Sequence, residues 1–413
     1  MSTELGSLLV QLQRPDGSWL DVGHLSTLSN TVSFTSIGDY WEDPNRPTLG
    51  QQFEDRGPTW RPSAHVAAPR WFSHLLPQGR LRQAVSQASG IAETNEWALL
   101  ARIGADDLPG AVRLLPADSK LPAPPPDQFG GGDDEPTVVK FSLAGLQMKF
   151  SLVSSDRGLT LPASGQAGDV ILKLPDPRVT HAGVPEAEHA AMTLASAAGV
   201  HVAQTRLIPI GEVAGLDEWS LGLAGNGLAV SRYDRASPEQ RIHAEEFAQI
   251  LDVSATDDRA KYRHANFETV ARVAAGVVGV DAVSEVIDRL VVNVLVGNGD
   301  AHLKNWSVVY PDGVNAAMSP AYDIVPTVLY MGQNDLGLKL NGSRAFTDVT
   351  ADSFARLGEV TGMGQGAAVE RAVSAVDRVL AHWSTLKDLL PAEQYERLTA
   401  RLSDLPLTGA GIL

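Results

Sequence analysis

Apolar and polar residues alternate from Leu8 to Leu12 and from Val32 to Thr35, the period-two pattern of short strands with one face in a core. From Trp71 to Leu76, Leu81 to Ala88 and Asn95 to Ile103 the apolar spacing changes to three and four, which predicts helices and makes residues 1–114 an α+β module. Residues 115–136 break the pattern. Leu121 to Pro126 is Pro-rich, Gly130 to Gly132 follows, then Asp133, Asp134 and Glu135, and such a stretch reads as a linker because it cannot pack a core. Beyond it, Val138 to Leu152, Val170 to Leu174 and Leu228 to Tyr233 predict strands and Pro185 to Ala198 a helix, giving a strand-rich lobe over 137–240. From Ala244 the period is mainly helical, which defines a helical lobe over 241–413. There Val286, Leu290 and Val294 repeat beside Ile287, Val291 and Leu295, so a buried helix runs directly into a polar loop.

That loop carries the candidate chemistry. In Asn298-Gly-Asp300-Ala-His302-Leu-Lys304-Asn305 an Asp precedes an Asn by five residues. A kinase catalytic loop uses this spacing for the Asp that orients the acceptor hydroxyl and takes its proton, and for an Asn that holds magnesium. An extended run from Trp306 to Tyr310, a Pro-Asp-Gly turn at Pro311 to Gly313 and a second extended stretch predict a hairpin that returns Asp323 to the loop as a further magnesium ligand. Asn-Gly-Asp is also ordinary turn chemistry, and its place at the mouth of a buried helix is what favours a site.

The strand-rich lobe offers matching parts. Gly145, within Ser142-Leu-Ala144-Gly145-Leu-Gln147-Met-Lys149, would let backbone N–H groups approach an anion, although a lone Gly between strands also fits a bulge. Lys173 lies in an apolar strand, where a charge needs a carboxylate or a phosphate unless the strand is a solvated edge. Glu186 and Glu188 open the next helix. Glu188 joins the buried face if Met192 and Ala195 mark it; a plain helix N-terminal carboxylate is the competing reading.

Composition narrows the classes. The chain of 413 residues is 44% hydrophobic, enough for a substantial core and more than one domain. Cys is absent, which excludes disulfides and thiolate chemistry, and the ten His residues show no metal-ligand spacing. A formal charge of -16 argues against tracking nucleic-acid phosphates directly. Apolar runs are too short to span a bilayer and the start Met1-Ser2-Thr3-Glu4 is polar, so cytoplasm is the expectation. Leu405-Pro-Leu-Thr-Gly409 fits a sorting pentapeptide but is read as a loop.

Together these residues resemble the HipA family of serine/threonine kinases, the toxins of bacterial toxin–antitoxin pairs. The pieces are Phe141 to Lys149, Ile171 to Lys173, Pro185 to Glu188, Val230 to Arg235, His243 to Gln249, Gly297 to Ser307 and Ala321 to Ile324. Trp71 to Arg82 and Ile103 to Ala111 are similar to the family's amino-terminal domain. The resemblance implies a bilobal protein-kinase-like α+β fold and an ATP- and Mg2+-dependent enzyme. Asp300 would be its base, and Asn305 and Asp323 its metal ligands. Lys173, paired with Glu188, would take the ATP phosphates with the loop of Ala144, Gly145, Gln147 and Lys149. Ser231 and Tyr233 would form the adenine hinge, with His302 and Tyr322 also at the nucleotide. Ser142 would be a regulatory autophosphorylation site, where a dianion repels ATP phosphates. Expected partners are a helix-turn-helix antitoxin, DNA only through that antitoxin, and a translation-related protein substrate such as an aminoacyl-tRNA synthetase. Departures are Asn298, where many kinases place His, Ala244, where the family often has Gln, and Met148. Small-molecule phosphotransfer and a non-catalytic corepressor are the other classes these residues could serve.

Overall fold

The computed structural model describes residues 4–28, 31–60, 67–105, 107–117, 149–155, 158–160, 167–175, 183–214, 216, 223–237, 239–330 and 335–409. The linker expected from 115 starts later, because Leu115 and Pro116 complete strand Val112–Pro116; from 118 it, and the segment carrying Ser142, Ala144, Gly145 and Gln147, lie outside these residues. The chain divides into two compact units, one of residues 1–174, 208–256 and 309–315, the other of 175–207, 257–308 and 316–413.

The first unit begins with an antiparallel sheet of strands Glu4–Gln13, Trp19–Leu28, Thr31–Ser36, Thr59–Trp60 and Val112–Pro116. Its register sets Leu8 opposite Leu25, and Val10 opposite Gly23 and Leu114, so the alternating apolar residues share one buried face. Phe34 of this sheet packs in one cluster with Phe53, Trp71 and Phe72, with ring centroids 4.9 to 5.9 Å apart and tilted or edge-on, as aromatic quadrupoles prefer. Two predicted helices are present as Gly79–Ser89 and Glu96–Ile103, the second capped by Asn95, whose side chain accepts from Ala98 N at 3.1 Å. A second sheet pairs Lys149–Ser155 with Gly158–Thr160 and with Val170–Lys173, which also pairs with Asn226–Ser231. Phe150, Leu152, Leu172 and Ala229 form its core.

The second unit is built on helix Ala282–Val296, in which Val286 to Val296 are all buried, an all-round burial that marks a central helix. Helices Phe267–Val277, Ala355–Thr361 and Gln365–Ala381 pack near it, and Val184–Ala197 belongs to the same unit. Asp288 binds Arg371 and Arg378, and Arg289 donates through Nη2 to Ser319 O. Arg401 donates to the carbonyls of Val294 and Leu295 at 2.9 and 3.0 Å, satisfying acceptors that a helix end leaves open. The pentapeptide read as a loop is a 3-10 turn over Pro406–Thr408, with Leu405, Leu407 and Thr408 buried. Among the described residues no helix is long and apolar enough to cross a membrane.

Candidate active site

Helix Ala282–Val296 stops at Gly297, whose φ of 74° is left-handed and whose missing Cβ would lie 2.5 Å from Val328. The chain then turns into Asn298, 1% exposed, whose side chain donates to Asn293 Oδ1 at 2.8 Å and to the carbonyl of Asp323 at 3.2 Å, and accepts from Asp300 N at 3.0 Å. The departure from His at this position is therefore structural in effect: one amide ties the helix end, the Asp300 backbone and the Asp323 backbone together. Thr327 adds a second tie, its hydroxyl accepting from Gly299 N at 2.7 Å and donating to Gly297 O at 3.2 Å.

Past Asp300 the chain makes a single 3-10 turn, Leu303–Asn305, and His302 N donates to Asn305 Oδ1 at 2.9 Å. The expected hairpin is present, with strands Ser307–Tyr310 and Ala317–Met318 and a bond from Ser319 N to Ser307 O at 3.0 Å. It returns Asp323, whose Oδ2 accepts from Asn305 Nδ2 at 3.2 Å. Asp323 has a φ of 56°, a conformation Asp tolerates better than most residues and one that costs backbone energy. Tyr322 OH donates to Lys304 O at 2.8 Å; its one proton thus placed, it accepts from Ser307 Oγ at 2.6 Å. Asn293, Asn298, Asn305, Trp306 and Asp323 line a cavity of about 10 Å³, room for about one water.

Two further groups complete the loop. Tyr262, from helix Ala260–Arg263, donates its phenolic proton to Asp300 Oδ1, and its ring meets His302 edge-on with centroids 5.0 Å apart. Burial, then the Asp300 charge, raises the Tyr262 pKa above the usual phenol value. Burial, with Lys261 nearby, holds His302 well below the usual imidazole value, so this ring is neutral. Tyr262 was missed by sequence reading because 38 residues separate it from Asp300 and no motif links them.

In the first unit Lys149 and Lys173 are directly opposed across antiparallel strands, so their side chains share a face, and they are 6% and 4% exposed. Ser231 is exposed at the end of its strand and Tyr233 is half-buried. Between and beyond them Arg232, Asp234 and Arg235 are buried with Asp107: Arg232 lies 2.8 Å from each Asp, and Arg235 2.7 Å from Asp107 and 3.0 Å from Asp234. Burial alone would raise both carboxyl pKa values, but the two guanidiniums overcome it, holding Asp107 well below the ordinary range and Asp234 at about 2. Glu188 belongs to the second unit, 1% exposed on the same buried side of Val184–Ala197 as Ala191, Met192 and Ala195.

An Asp, an Asn and a second Asp on a loop and hairpin at the end of a buried helix match the arrangement that kinase-type phosphotransfer centres use. The chain matches the HipA-like C-terminal domain over residues 141–383 and the HipA N-terminal domain over residues 19–115. It is 37% identical over 379 residues to Y4dM of Sinorhizobium fredii, provisionally named a kinase, a match covering 89% of this chain and 90% of that protein. To the serine/threonine-protein kinase toxin HipA of Shewanella oneidensis it is 25% identical over 293 residues, covering 62% of each. The solved complex of Shewanella oneidensis HipA, HipB and operator DNA contains a chain that superimposes with a TM-score of 0.72 at 19% identity, covering 96% of this chain and 97% of that one. The chain belongs to the HipA family, with its α+β, protein-kinase-like fold.

Proposed function

We propose that this chain is a serine/threonine protein kinase that uses ATP and Mg2+. The observation that carries the reading is the placement of Asp300, Asn305 and Asp323: Asn298 bonds the backbones of both Asp residues, and Asn305 Nδ2 donates to Asp323 Oδ2 at 3.2 Å, leaving Asn305 Oδ1 as the oxygen it would offer an ion. Asp323 and Asn305 offer the hard oxygen donors that magnesium takes, and magnesium needs few protein ligands because substrate phosphates supply others. When bound, the ion neutralises charge on the β- and γ-phosphates. Asp300 orients the acceptor hydroxyl and takes its proton as the new O–P bond forms and the bond from the γ-phosphorus to the ADP oxygen breaks.

In this reading Lys173 and Lys149, two like charges opposed on one face, serve the ATP phosphates together with the backbone of Ala144, Gly145 and Gln147, and Glu188 is the Lys173 partner. The Ser231 to Tyr233 backbone is the adenine hinge, His302 and Tyr322 flank the nucleotide, and Ser142 is the regulatory phosphosite. The domains are an amino-terminal module of 1–114 with its last strand running on to Pro116, a linker from there to 136, and lobes of 137–240 and 241–413. The enzyme works in the cytoplasm, slows growth by phosphorylating a translation-related protein such as an aminoacyl-tRNA synthetase, and is restrained by a helix-turn-helix antitoxin through which it meets DNA. Support for that partner comes from the Shewanella oneidensis complex of HipA, HipB and operator DNA.

Mass spectrometry of the dephosphorylated chain after incubation with magnesium and ATP, beside Asp300→Ala, tests the reading. One added phosphate on Ser142 in the parent and none in the folded variant is the expected result. Equal phosphorylation of both would remove Asp300 from the mechanism.

A further inference from the structure

The phenol of Tyr262 touches the group on which the proposed chemistry turns, and no role has been given to it. Its proton goes to Oδ1 of Asp300. An acceptor hydroxyl must come within hydrogen-bond reach of the same carboxylate, so Tyr262 either occupies the acceptor's place or fixes the carboxylate for it.

The surroundings decide between the two. The Tyr262 carbonyl accepts from Arg344 Nη2 at 2.8 Å, and Arg344 Nη1 donates to Gly337 O at 2.7 Å. Gly337 in turn lies against the backbone of Ala301, which a Cβ would approach to between 2.7 and 2.9 Å. The ring rests on the edge-on contact with His302, and the Lys261 ammonium is 5.3 Å from its centroid. Tyr262 is thus anchored, through Arg344 and Gly337, to the residue that follows Asp300. A group fastened to the catalytic loop at both ends of its own residue is built to stay when substrate arrives.

We propose that Tyr262 is a positioning residue for phosphoryl transfer, holding Oδ1 of Asp300 so that Oδ2 is the oxygen that takes the acceptor proton. The inference rests on Asp300 being the base. Fixing the carboxylate plane before the reaction removes a reorganisation that would otherwise accompany proton transfer.

The test is Tyr262→Phe, which keeps the ring and removes one oxygen. ADP release from magnesium-ATP is followed against pH, with water or the chain's own hydroxyls as acceptor, beside the parent and Asp300→Ala. The variant should lose about tenfold or more in kcat with KM for ATP within about twofold, a modest share of what a positioned base contributes. Its acid limb should move to higher pH, because a carboxylate that loses a donor becomes more basic. The other titratable groups around the pair, Lys261, His302, Asp258 and Arg344, are unchanged in the variant, so a moved limb reads the lost phenol donor. An unchanged kcat and acid limb would overturn the proposal, and a raised kcat would do so by making Tyr262 an obstruction. Parent turnover that persists in Asp300→Ala, or no parent turnover, would sink the base assignment itself, a failure visible without the Tyr262 variant.

Discussion

Asp323 combines a strained backbone with a carboxylate that the proposed chemistry needs. Its φ of 56° would suit Gly better, yet Gly has no oxygen to offer a cation. Replacing it separates the two demands. Asp323→Ala and Asp323→Gly both remove the carboxylate and should both abolish magnesium-dependent turnover, while the Gly variant should be the more stable of the two by about 1 kcal/mol, because only Ala retains the left-handed penalty. Urea denaturation of the pair measures the difference, and an Ala variant as stable as the Gly variant would mean that the backbone relaxes without cost. The sequence supplied Asp300, Asn305 and Asp323 because their separations are fixed by one loop and one hairpin. It was silent on Tyr262 and Thr327, whose partners Asp300 and Gly299 lie 38 and 28 residues away and are reached only through tertiary packing.

At the scale of elements, the same contrast separates the predicted strands and helices from the contacts that join them. Val32 to Thr35 and Asn95 to Ile103 appear as Thr31–Ser36 and Glu96–Ile103 because periodicity is a local property. The short strands Asp335–Leu340 and Ser343–Ala345, in a region read as mainly helical, were not anticipated, since runs of six and three residues carry too few periods to distinguish strand from loop. Nor did the alternating charges of Arg232 to Arg235 disclose that Asp107, from the amino-terminal part of the chain, completes a buried set of two acids and two bases. That loop-to-loop junction also takes in Gly110, whose N–H donates to Asp234 at 2.8 Å, and Gly168, whose N–H donates to Asp107 at 3.0 Å. Asp107→Asn leaves two guanidiniums facing one carboxylate in a dry site and should cost about 3 to 5 kcal/mol, the range for breaking a buried ion pair on one side. Urea denaturation of the parent and variant checks this, and a loss below about 1 kcal/mol would show that water reaches the cluster.

For the molecule as a whole, these buried carboxyls set a pH profile with two limbs of opposite cause. Asp107 and Asp234 have folded-state pKa values below the ordinary value of 3.8, so their contribution is present above that pH and is lost as pH falls toward about 2. Glu245 works in the other direction. It accepts from Trp71 Nε1 at 2.8 Å, Tyr310 OH at 2.8 Å and Gln51 N at 3.1 Å, yet its complete burial outweighs these donors and raises its pKa from 4.5 to about 7. The folded state then holds a proton that the unfolded chain releases above pH 4.5, so the Glu245 contribution declines from about pH 4.5 to 7 and levels off above, by roughly 3 kcal/mol in all. His243 and His302 oppose it: both are buried and held below the ordinary imidazole value of 6.5, so below that pH the unfolded chain binds protons that the folded chain refuses, and the Glu245 gain on acidification is offset between about pH 6.5 and 4. A formal charge of -16 at neutrality itself favours acid. Glu245→Gln separates the local cause from the general one. Its amide does not titrate, so urea unfolding between pH 4.5 and 8 should show the parent losing stability relative to the variant as pH rises to about 7, whatever the variant's absolute stability. A parent-to-variant difference that stays constant over that range would place Glu245 among groups that stay ionised, held so by Trp71, Tyr310 and Gln51.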